Sequence, residues 1–157
     1  MNPLNSPVEV GVRALVLLLE AFPERLDVAQ LVYLDYAMLH SAELGGPTSL
    51  HPELPAGPGE LGMRRRLMEQ GLQVIIRAGL ADLHTTDAGF FYVATEEASS
   101  FVDVLEASYV QRLVERAEWI TTTYSTHGND VRDAMKQITA RWSTRFAASA
   151  AAEGADA

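Results

Sequence analysis

Between Ser41 and Gly59 the chain carries Gly45, Gly46, Gly57 and Gly59 together with Pro47, Pro52, Pro55 and Pro58. Neither a helix interior nor a central strand tolerates that density of residues lacking an N–H or a Cβ. Residues 41–59 must therefore be one long irregular loop, and the regular elements have to lie on either side of it. Loops of that length inside a compact domain are uncommon and carry function more often than they decorate. The plainer alternative is a poorly ordered insertion.

Before the loop, Val8, Val12, Leu15, Leu19 and Phe22 recur at intervals of four and three, the stripe of a helix facing a core. Leu17 and Leu18 widen the stripe and predict burial on more than one side. Ser6 suits the N-cap, Pro7 the first turn, and Pro23 closes the segment. Asp27 caps a second helix predicted to reach about His40, so the first two helices form a hairpin.

After the loop, Leu61, Leu67, Met68, Leu72, Ile75 and Ile76 predict a third helix over 60–78, with Gly79 where a left-handed residue is wanted. Two short strands, 80–85 and 90–94, follow through the turn Thr86-Asp87-Ala88-Gly89. Three helices followed by a hairpin is the order of a winged helix-turn-helix. Thr95 predicts the cap of a segment running to about Thr123, either one helix or two with a break near Ala107-Ser108. Val131, Met135, Ile138, Trp142 and Phe146 define a last amphipathic helix. The expected fold is mainly α with a small β-hairpin. A winged-helix-like core spans 6–94, a C-terminal helical segment packs on it over 95–146, and 147–157 form a disordered tail.

Composition excludes more than it assigns. With no cysteine, disulfides, thiolate metal sites and cysteine nucleophiles are absent. The apolar run Ala14–Leu19 is far too short to span a membrane, and the chain begins without a charged secretory start, so a cytoplasmic protein with no membrane contact is expected. The net charge of -9 sets a repulsive field against phosphates. No nucleophile elbow, phosphate loop or dinucleotide fingerprint occurs, which argues against an enzyme and leaves no catalytic residue or cofactor to assign.

The third helix carries Arg64, Arg65 and Arg66, the case for DNA binding by a winged-helix transcriptional regulator. Consecutive helical residues fan out by about 100° each, however, and the hairpin adds Asp82 and Asp87 rather than cations. The same face suits a protein contact, with Phe90 and Tyr92 as an aromatic pair on one side of the second strand. His40, His51, His84 and His127 lack metal-site spacing, so no metal is expected; His84 and His127 read as solvent-facing. His51 is placed to fold back on Asp35 or His40 and pin the loop. Asp35 itself lies on the exposed edge of its helix, the commoner arrangement, or is partly buried with an arginine such as Arg64.

The pieces Gln30-Leu31-Val32-Tyr33-Leu34-Asp35-Tyr36, His40-Ser41, Gly45-Gly46-Pro47, Ser49-Leu50-His51-Pro52, Gly59-Glu60, Arg64-Arg65, Gly71-Leu72 and Gly79-Leu80 resemble the middle component of bacterial ABC-three-component conflict systems. The likeness extends from about Asn5 to Tyr124, through Tyr109 and Arg116-Ala117-Glu118-Trp119. It implies a small noncatalytic adaptor between an SMC/Rad50-like ATPase and an effector in defence against phage or plasmids. It also singles out Asp35, His40, His51, Glu60 and Arg64 as a polar cluster around the loop. Two rival classes stay open, the DNA-binding regulator and an antitoxin-like partner that masks an effector.

Overall fold

The computed structural model describes residues 6–51, 60–124 and 131–140. The first helix, α1 (Pro7–Ala21), opens with Ser6 accepting from the Glu9 amide at 3.2 Å and is buried on almost every side from Val10 to Leu18. The second, α2 (Val28–Leu39), starts from a full capping box: Asp27 accepts from the Gln30 amide at 2.7 Å while the Gln30 side chain accepts from the Asp27 amide at 2.9 Å. A short 3-10 turn, Ser41–Leu44, begins the loop.

Helix α3 (Glu60–Arg77) leads through Gly79, with φ at 76°, into the hairpin of β1 (Ala81–Thr86) and β2 (Gly89–Ala94). The strands pair antiparallel with Leu83 opposite Tyr92 and Thr85 opposite Phe90. A third strand position completes the sheet, because Leu26 exchanges backbone hydrogen bonds of 3.0 and 2.8 Å with Tyr92. A lone residue between two helices shows no alternation, so this pairing is absent from the sequence pattern. The succession of α1, α2 and α3, the hairpin and the Leu26 bridge make a winged-helix-like core with extra helices.

The segment after the wing forms two helices, α4 (Glu96–Asp103) and α5 (Ser108–Thr123), broken at 104–107. Thr95 stands at the start of α4 as expected, but its hydroxyl donates to the Gly79 carbonyl at 2.8 Å instead of capping the helix. It thereby ties the far end of the wing to the end of α3. Residues 131–140 are helical (α6), with Val131, Met135 and Ile138 buried. The expected tail at 147–157 lies outside the described residues, as do Trp142 and Phe146.

One core joins these elements, formed by α1, α2, the inner face of α3 and Leu113, Ala117 and Ile120 of α5. The crossing of α1 and α3 is backbone against backbone. A Cβ on Gly11 would lie 2.8 Å from the Gly71 carbonyl oxygen, and one on Gly71 would lie 2.7 Å from the Gly11 nitrogen. Glycine is needed there for close approach, since helical φ is open to any residue.

Candidate functional site

Asp35 is not on an exposed edge. It is only 5% exposed, and Arg13 of α1 grips its carboxylate with two hydrogen bonds, Nε to Oδ1 at 2.8 Å and a terminal nitrogen to Oδ2 at 3.2 Å. Burial alone would lower the Arg13 pKa, but the Asp35 carboxylate outweighs it and raises the value. Arg13 escaped the sequence reading because a lone cation on a helix is usually solvated. Its signal was there all the same, as the only charge between Glu9 and Glu20 in an otherwise apolar helix. Arg64 instead lies over the Tyr36 ring, 5.0 Å from its centroid.

His40 stacks on Tyr36 with ring centroids 4.4 Å apart and meets His51 edge-on at 6.3 Å. Burial, with help from Arg64 and His51, pushes the His40 pKa down to about 4, so the ring is neutral at physiological pH. His51 is lowered for the same first reason and shares a 2.7 Å hydrogen bond with the Tyr109 hydroxyl. Asp35, His40, His51 and Arg64 thus gather around the start of the loop. The side chain of Glu60 lies outside the described residues.

The described part of the loop, residues 41–51, is held from two directions. From within, the Ser41 hydroxyl donates to the Pro47 carbonyl at 2.9 Å, the Ala42 amide donates to Ser49, and the Leu50 and His51 amides share the Leu39 carbonyl. From outside, α5 runs alongside in the opposite sense: Tyr109 meets His51, Arg116 donates twice to the Thr48 carbonyl, Trp119 packs on Gly46, and Tyr124 reaches the Leu44 carbonyl. Position by position, one helix face latches one stretch of loop. Tyr109, Arg116 and Trp119 carried the family likeness in the sequence, but nothing local connected them to the loop.

The second assembly is the face of α3 and the wing. Phe90 is 60% exposed and Leu83 47%, while Tyr92 on the same side of the hairpin is half-buried beside the Leu26 bridge. Only part of the predicted aromatic pair therefore points outward. A groove of about 670 Å³ opens between this hairpin face, α3 from Arg65 to Ile76, the start of α2, and Arg132 of α6. Arg65 and Glu69, one turn apart on its α3 wall, are joined at 3.3 Å, and Arg132 reaches Asp27 at 3.4 Å. Arg66 is exposed on a different side of α3. His84 is half-buried rather than solvent-facing, and His127 lies outside the described residues.

No group of three or more His, Cys, Asp or Glu side chains among the described residues could hold a metal ion, and no described helix is long and apolar enough to cross a membrane. A latched loop, a buried ion pair and a groove of mixed polar and apolar lining beside a wing sit on a winged-helix-like core. The chain belongs to the family of Middle Component 2 of ABC-three-component systems, whose family model matches residues 3–145. Membership makes it a noncatalytic adaptor that works with an ATPase and an effector. No curated protein and no solved structure matches the chain.

Proposed function

We propose that this chain bridges an SMC/Rad50-like ATPase and an effector in the cytoplasm of a bacterium defending itself against phage or plasmids, and that the α3–wing face is where the ATPase docks. The carrying observation is the exposed pair Phe90 and Leu83 standing beside Arg65 on an otherwise acidic protein. Exposed aromatic and arginine side chains around a concave surface are the usual anchors of a protein contact.

The rival DNA reading needs the α3 cations turned together toward phosphates. Arg64 lies over Tyr36 and Arg65 is joined to Glu69, which leaves that reading without its main support. The test is co-purification of a tagged copy at moderate salt with nuclease present, from cells that also express the ATPase. The ATPase is expected to remain bound, and Phe90→Ser is expected to weaken the association with the fold intact. Recovery of nothing but nuclease-sensitive DNA, lost steeply with added salt, would overturn the adaptor reading in favour of the regulator.

A further inference from the structure

We infer that the outer edge of β1 pairs with the same edge of a second copy of this chain, antiparallel about a two-fold axis at His84, so that two wings share one four-stranded sheet. The inference is independent of the adaptor reading, which concerns the α3–wing face and not this edge.

The hydrogen bonds of the wing reveal which backbone groups point outward. Tyr92 directs both its N–H and its C=O to Leu26, at 2.8 and 3.0 Å. In an antiparallel pair, opposed residues either exchange both bonds or turn both groups away, in alternation along the strand. Leu83 stands opposite Tyr92, so its N–H and C=O point away from β2; two residues on, Thr85 opposite Phe90 does the same. No described residue takes any of these four groups. Leu83 and Thr85 are both exposed. Ala81 is buried and closes the edge at one end, and the turn at Asp87-Ala88 closes it at the other.

An edge of this kind is normally blunted by lysine, proline, a bulge or a covering element. β1 has neither lysine nor proline, and its six residues pair one to one with β2, which leaves no bulge. What satisfies a row of outward N–H and C=O groups is another extended strand.

Symmetry identifies that strand. The two outward residues lie on either side of His84, so a second β1, antiparallel and with its own His84 directly opposite, sets Leu83 against the copy's Thr85 and Thr85 against the copy's Leu83. All four groups of each chain are then paired, in four hydrogen bonds. An axis at Leu83 would set Thr85 against the buried Ala81, and an axis at Thr85 would set Leu83 against Asp87 in the turn; either leaves outward groups unpaired. The side chains agree with the axis at His84. On one face the exposed Leu83 gains the copy's Thr85 as its neighbour, and on the other Asp82 falls opposite the copy's Thr86, so no carboxylate faces another. The net charge of -9 on each copy then acts across solvent, where salt screens it. A foreign strand fills the same row only if its own edge is free at this spacing, a condition the second copy meets by construction.

The two-fold axis stands perpendicular to the sheet, so both α3–wing faces lie on the same side of it and a partner with two matching sites is held twice. Five residues a side is well below the roughly 20 to 30 of a stable interface, which makes the dimer weak and concentration-dependent.

Sedimentation equilibrium of the full chain from about 10 to about 500 μM is expected to show reversible dimer formation, tightened by added salt as the like charges are screened. Thr85→Pro removes an N–H that the hairpin does not use, so it should weaken the dimer about tenfold or more at a nearly unchanged urea midpoint. Because the chain has no cysteine, a single introduced one reports the register. His84→Cys should give a disulfide-linked dimer under mild oxidation, since opposed residues of a non-hydrogen-bonded pair have Cα atoms about 4.5 Å apart. Leu83→Cys should not, because the two equivalents lie diagonally, about 7 to 8 Å apart. A chain monomeric throughout, a dimer that survives Thr85→Pro at an unchanged urea midpoint, or cross-linking at 83 in preference to 84 overturns the inference. If Thr85→Pro unfolds the wing, the two cysteine variants decide it. Retention of the ATPase is read separately, so the adaptor reading stands or falls on its own experiment.

Discussion

Gly46 lies so close to the Trp119 indole that a Cβ would contact the ring carbons. The ring also meets Tyr124 edge-on, with centroids 6.2 Å apart. The loop backbone is packed directly on the Trp119 ring of α5, with no side chain of its own between. Gly46→Ala is expected to destabilise the fold by about 1 to 3 kcal/mol, as overpacking does elsewhere. A lowered urea midpoint with an unchanged slope is the readout.

The α1–α3 crossing makes a sharper test, because alanine ordinarily stabilises a helix by about 1 kcal/mol over glycine. Gly71→Ala should reverse that sign, since its Cβ would meet Gly11 and Val10 backbone atoms at 2.7 and 2.9 Å. Gly62→Ala in the same helix meets nothing within 4 Å and should keep the ordinary sign. Equal shifts for the two in thermal denaturation would rule out the close crossing.

Breaking the Arg13–Asp35 pair leaves a buried charge without its opposite charge. Either Arg13→Met or Asp35→Leu alone should cost about 3 to 5 kcal/mol, whereas the double replacement should recover most of the loss. A double-mutant cycle by denaturant unfolding measures this, and additive single losses would contradict it.

His40 imposes a pH dependence whose sign follows from its lowered pKa. The unfolded chain takes up a proton as pH falls through 6.5, while the folded ring resists until about 4. The unfolded state therefore gains protons first, and stability is full above pH 7 and declines through that window. His51, lowered by burial, acts in the same direction. His40→Phe, which keeps the stack on Tyr36, should flatten the urea midpoint between pH 7 and 4.5, and an NMR titration placing the His40 midpoint near 6.5 would exclude the argument.

Reversal of the loop clamp gives a local readout. Arg116→Ala removes both donors to the Thr48 carbonyl without touching the core residues Leu113, Ala117 and Ile120. Amide exchange at residues 48–51 is expected to speed up well before global stability changes much, since these bonds hold a surface segment. Exchange unchanged at those amides would show that the inner hydrogen bonds alone hold the loop.

The amino-acid sequence by itself determined the elements and their order. Apolar spacing placed α1, α2 and α3, Asp27 and Ser6 marked the caps, and Gly79 ended α3, because each depends on residues within a turn or two of itself. The family likeness was legible too, and with it the adaptor role. The break between α4 and α5 was visible only as an option, because no proline or glycine marks it.

The tertiary structure alone decided which distant residues meet. Arg13 and Asp35 are 22 positions apart, His51 and Tyr109 58, and Thr48 and Arg116 68. Asp35 and His51 stand out in the sequence as members of a polar cluster, but nothing there names Arg13 or Tyr109 as their partners. Their partners follow from how α1, α2 and α5 pack around one core, and the need to satisfy buried polar groups then selects the pairs. The groove arises in the same way. Its walls combine edges of the apolar stripes of α2 and α3 with polar neighbours, and only the placement of the wing beside them turns these faces into a concave surface.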